Sequence, residues 1–99
     1  PRQGGRLPCR MPGDVDPEKF MPWINDLTQI QGPNILRSKG ILAFKGEPRR
    51  FVFQGVHMIL DGDLQRDWKD GETRESRLVF IGRDLNENEL RKGFEACAA

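Results

Sequence analysis

The stretch Arg49-Arg50-Phe51-Val52-Phe53-Gln54-Gly55-Val56-His57-Met58-Ile59-Leu60 carries the strongest structural signal in the chain. Its β-branched and aromatic content predicts a strand. One parity holds Phe51, Phe53, His57 and Ile59; the other holds Val52, Val56, Met58 and Leu60. Side chains alternate across a strand, so both faces of this one read as largely apolar. Immediately upstream, Ile35 to Lys45 reads as a second strand, joined through the Gly46-Glu47-Pro48 turn as an antiparallel hairpin.

Helical patterns flank the hairpin. Asp16-Pro17 supplies a side-chain acceptor at an N-cap and a preset φ at the first helical position. Phe20, Ile24, Leu27 and Ile30, with Trp23 beside them, recur at helical spacing, and Gly32-Pro33 ends the pattern. This predicts a helix from about Pro17 to Gln31. Downstream, Asp61 to Glu75 reads as a polar connector with turns at Asp61-Gly62 and Asp70-Gly71, carrying Trp68. Ser76 to Gly82 reads as a buried strand. Leu90, Phe94 and Cys97 then form the apolar stripe of a closing helix, with capping residues between Asp84 and Asn88. Residues 1–13, with only Leu7 and Met11 as large aliphatics, predict a weakly ordered segment or a short first strand ahead of a domain spanning 14–99. The expected fold is α+β, a mostly antiparallel sheet of three to four strands with two helices packed on one face. The opposite face is then left to find another partner.

Ninety-nine residues make one domain, with 36% apolar and 31% charged residues and a formal charge of +1. So balanced a charge argues against nucleic acid or an anionic membrane as partner. No spanning run and no signal-like leader is visible, so the expected setting is cytoplasmic. Cys9 and Cys97 lie far apart and define no disulfide framework.

Familiar chemistry is hard to find. No glycine-rich loop ends in Gly-Lys, so no triphosphate cradle is present. The single histidine, His57, reads as part of a strand, with no nucleophile near it in sequence. A closed zinc cage needs four Cys or His ligands. A weaker divalent-metal site would combine His57 with Asp61, Asp63, Asp67, Asp70 and Glu72. A calcium loop fails because Arg66 stands where the sharp turn requires glycine. Lys39-Gly40 and Arg49-Arg50 beside Phe51 and Phe53 match a base-stacking RNA module poorly.

The blocks Ile35-Leu36-Arg37-Ser38-Lys39-Gly40-Ile41-Leu42, Phe51-Val52-Phe53-Gln54-Gly55-Val56-His57 and Gly71-Glu72-Thr73-Arg74-Glu75-Ser76-Arg77-Leu78-Val79-Phe80-Ile81-Gly82-Arg83 resemble the C-terminal domain of CobW-type metallochaperone GTPases. The likeness covers about residues 14–98. It implies a longer parent whose N-terminal P-loop domain uses GTP and magnesium and delivers zinc, cobalt or another divalent metal. Those motifs are outside this chain, so no catalytic residue and no cofactor is assigned within it. The implied partners are the parent's own GTPase domain, a metalloprotein client, or a second copy. Residues expected to meet such partners are Arg37 and Lys39 on one strand face, Arg77 with Arg83 on another, Gln54, and Trp68 as an aromatic anchor. The leading expectation is a non-catalytic accessory domain; the alternative is a weak metal-binding domain centred on His57.

Overall fold

The computed structural model describes residues 5–99, which fill a body of 41 × 22 × 19 Å. In chain order it contains β1 (Gly5–Pro12), α1 (Pro17–Gln31), β2 (Ile35–Ala43), β3 (Arg49–Val56), β4 (Ile59–Asp67), β5 (Glu75–Gly82) and α2 (Glu87–Glu95). The strands form one sheet in the order β1-β5-β2-β3-β4, every neighbouring pair antiparallel. The class is α+β as expected, but the sheet has five strands and not three to four.

Both extra strands have a physical explanation. Leu7, Cys9 and Met11 alternate inward along β1 and are buried, so of the two expectations for this segment the first strand is the one that forms, eight residues long. Pro8 and Pro12 are tolerated because β1 lies at the sheet edge, where a missing N–H can face away from the ladder. The long apolar run at Arg49 to Leu60 is two strands: Val56 pairs with Ile59 and the chain reverses at His57-Met58. No glycine, proline or asparagine marks that turn, because His57 itself adopts a φ of 55°. Thus His57 lies in a hairpin turn, not inside a strand. The first half of the supposed polar connector, Asp61 to Asp67, belongs to β4, an edge strand whose Asp61 and Asp63 face water while the Phe51 ring lies over Gly62.

The helices form as the sequence directs. Asp16 caps α1 by accepting from the Glu18 amide at 2.9 Å, and Asn86 caps α2 by accepting from the Glu89 amide at 3.0 Å. Both pack on the same sheet face. Phe20, Ile24 and Leu27 of α1, with Leu90 and Phe94 of α2, bury against Leu7, Cys9, Phe53, Leu78 and Phe80. Phe20 meets Phe53 edge-on at 5.7 Å, and Trp23 stacks on Phe94 at 6.3 Å. Ile30 departs from expectation, being 77% exposed. At about 100° per residue it falls nearly a quarter-turn from the centre of the Phe20–Ile24–Leu27 stripe. Thr28 is buried on the other flank, its hydroxyl donating to the Ile24 carbonyl at 2.7 Å. Gly40 and Gly82 are places of close approach: a Cβ on Gly82 would run into the Asn34 carbonyl, and one on Gly40 into the Arg77 carbonyl.

Candidate functional site: the open sheet face

With both helices on one side, the register fixes what the other side presents. Its successive cross-strand rows, read from β1 to β4, are Arg6-Ile81-Arg37-Val56-Ile59, then Pro8-Val79-Lys39-Gln54-Asp61, then Arg10-Arg77-Ile41-Val52-Asp63. Beyond these rows the pairs Pro12–Glu75 and Ala43–Arg50 close the series. The register shift between Ile35 and Arg37 in β2 brings Arg37 and Lys39 onto this face, with the odd residue Leu36 accepting a hydrogen bond from the His57 amide at 3.0 Å. Ile41, Val52, Val79 and Ile81 are half-buried down the middle, while Val56 and Ile59 are 47% and 76% exposed.

The loop after β4 folds back over one end. Trp68 is half-buried there, its amide donating to the Pro48 carbonyl at 3.0 Å, and the guanidinium groups of Arg50 and Arg74 lie over its ring at 5.9 and 5.7 Å. Arg74 ties this loop to the body, donating to the Phe44 carbonyl at 2.8 Å, the Glu47 carbonyl at 3.0 Å and the Asp14 carboxylate at 2.9 Å. Arg66 and the Lys69 amide both donate to Glu72 and hold its carboxyl down at about 2, so this brace persists across ordinary pH. A cleft of about 320 Å³ lies between loop and sheet, lined by Ile41, Arg50, Trp68, Glu75 and Arg77 among others. Arg10 and then Arg77 pair with Glu75 and lower its pKa. Arg6, Arg37 and Lys39 make no ion pair among the described residues. A smaller hollow of about 110 Å³ sits between Arg37, Lys39, Gln54, Val56 and Ile81.

Arg37, Lys39, Gln54 and Arg77, singled out in the sequence on separate grounds, therefore share one face, with Trp68 at its end. Arg83 lies beyond β5 and makes no part of these rows. Arg6, Arg10, Val56 and Ile59 belong to the face and were missed: β1 gave too little apolar signal, and the Arg49 to Leu60 run was read with one parity throughout.

His57 stands apart, exposed in the β3–β4 turn. Among the described residues no three His, Cys, Asp or Glu side chains are grouped to hold a metal ion. Burial pushes the Cys9 and Cys97 thiols up, away from the thiolate form that binds metals. The described residues therefore do not fit a metal cage. Zinc calorimetry on the wild type and His57→Ala is expected to give indistinguishable isotherms. Binding lost with the imidazole would restore His57 as a ligand.

The sequence matches the family described as the cobalamin synthesis protein cobW C-terminal domain over residues 7–98. This chain belongs to the CobW C-terminal domain family. Among its relatives is the zinc chaperone YjiA of Escherichia coli, 47% identical over 80 residues, an overlap of 81% of this chain and 25% of that protein. The zinc chaperone CobW of Pseudomonas aeruginosa is 39% identical over 66 residues, or 63% of this chain and 18% of its own. The crystal structure of Zn(II)-bound YjiA GTPase from Escherichia coli superimposes with a TM-score of 0.92 at 32% identity, covering 98% of this chain and 30% of that one. The chain thus corresponds to the C-terminal domain of zinc-chaperone GTPases and spans about a third or less of the proteins it matches.

Proposed function

We propose that this CobW C-terminal domain is a non-catalytic docking module of a zinc-chaperone GTPase. Its open sheet face bears on the parent's GTP-binding domain, on a metalloprotein client or on another copy during metal delivery. GTP, magnesium and the transported zinc or cobalt are handled by the rest of the parent, in a cytoplasmic setting where the unpaired thiols of Cys9 and Cys97 stay reduced. The observation that carries this reading is the set of cations Arg6, Arg37 and Lys39, without ion-pair partners among the described residues, beside exposed Val56 and Ile59. Solvent-exposed aliphatics flanked by free charge are the composition of an interface awaiting its second half.

The test has two parts. The purified chain, mixed with GTP and magnesium, is expected to hydrolyse no more than buffer does; turnover would overturn the non-catalytic reading. Titrated into the remainder of the Escherichia coli relative, with and without nucleotide and zinc, it is expected to bind saturably in at least one state. Absence of binding in every state would remove the interdomain role.

A further inference from the structure

Resting on that docking role, we infer that the open face takes an acidic amphipathic helix of a partner protein, laid across the Arg6-Ile81-Arg37-Val56-Ile59 and Pro8-Val79-Lys39-Gln54-Asp61 rows. Three observations point there. The sheet edges are closed to strand addition: β1 carries Pro8 and Pro12, and β4 carries Asp61, Gly62, Asp63 and Asp67. A partner must therefore use the face, and an apolar sheet face is ordinarily covered by helices, as α1 and α2 already cover the other side. Five strands are about 20 Å across, the length of a helix of roughly 14 residues.

Charge selects the partner. Arg6, Arg37 and Lys39 sit within two adjacent rows and are exposed; of the carboxylates on this face, Asp61 ends the second row at the β4 edge, beyond Gln54 from Lys39, and the paired Glu75 lies at the far end beside Trp68. Carboxylates on the helix flank would meet these cations, and its apolar stripe would cover Val56, Ile59 and Ile81. RNA would need exposed rings on which to stack its bases. Here Phe53 is buried in the core, Phe51 stacks on Phe44 at 4.5 Å, and the Trp68 ring is covered by Arg50 and Arg74. A second copy would bring its own Arg6, Arg37 and Lys39 to the contact, and the Trp68 loop stands above the plane on which two sheets would have to lie.

The experiment uses the whole chain and three fluorescein-labelled probes of equal charge at physiological ionic strength: a synthetic Glu/Leu helix with its leucines on one face, a shuffled peptide of the same composition, and a polyuridine oligomer. Wild type is expected to bind the amphipathic peptide about tenfold tighter than the shuffled one. Arg37→Glu with Lys39→Glu is expected to weaken it by about tenfold or more, and Val56→Ser with Ile59→Ser by a similar factor. All four positions are exposed, so unchanged urea midpoints verify that the variants are folded. Equal binding of the shuffled peptide, tighter binding of polyuridine, or a sedimenting dimer that excludes the peptide would each overturn the inference. Should both double variants lose binding to the remainder of the Escherichia coli relative while wild type prefers neither peptide, the docking role would stand and the helix site would fall.

Discussion

Phe20→Ala is expected to destabilise the domain by about 3–5 kcal/mol, the range for removing a fully buried phenylalanine. The ring is 0% exposed and lies among four aromatic neighbours: Trp23 at 6.0 Å, Phe44 at 6.2 Å, Phe53 at 5.7 Å and Phe94 at 6.5 Å. It joins α1 to α2 and to the middle of the sheet, so its loss opens a cavity where no single element can relax to fill it. A domain of this size has about 5–15 kcal/mol of stability, and much of it would go. Urea unfolding followed by near-ultraviolet circular dichroism checks this. The control is Ile30→Ala, three positions after Leu27 on the same helix but nearly a quarter-turn from the centre of the buried stripe. At 77% exposed, Ile30 is expected to change stability by no more than about 0.5 kcal/mol. Equal costs at the two positions would contradict the packing described here.

The second large effect is expected at Arg74. Its guanidinium serves the Asp14 carboxylate, the Phe44 and Glu47 carbonyls and the Trp68 ring together. Hydrogen bonds to a charged group are worth about 1.5–3 kcal/mol, and truncation leaves two carbonyls without this donor. Arg74→Ala is therefore expected to cost about 2–3 kcal/mol and to change the emission of Trp68, since the loop over the sheet face loses its tether. Lysine at this position supplies one ammonium where a planar fork reaches three acceptors, so Arg74→Lys should recover only a small part. Chemical denaturation measures the first effect. Tryptophan fluorescence in a Trp23→Phe background, which leaves Trp68 as the sole reporter, measures the second. An Arg74→Ala protein of wild-type stability and emission would remove the clasp.

α1 was readable to the residue because its signals are local: the Asp16 cap, Pro17 at the first position, three large side chains at helical spacing and a Gly-Pro stop. The strand Ser76 to Gly82 and the α2 stripe were legible for the same reason. β4 was not, and β1 only as one of two alternatives, because an edge strand needs few apolar residues of its own when its neighbour supplies the ladder and helices cover one side. Leu7, Cys9 and Met11 become a strand by pairing with Phe80, Leu78 and Ser76, and nothing in residues 5–12 reveals those partners. Likewise the reversal at His57 is enforced by the pairing of β3 with β4 against a left-handed backbone angle that glycine would take more readily.

The candidate face divides in the same way. Arg37, Lys39, Gln54, Arg77 and Trp68 could be picked out singly by type and parity, and the blocks holding most of them carried the resemblance to the CobW C-terminal domain. Their assembly could not be read. It depends on β5 inserting between β1 and β2, on the bulge at Leu36, and on both helices choosing the opposite side. By itself the sequence determined the family, the helices and the absence of a phosphate cradle, since each rests on residues near one another along the chain. Which cations and aliphatics stand together on an uncovered face was decided only by the tertiary structure, because strand order joins residues far apart in the chain.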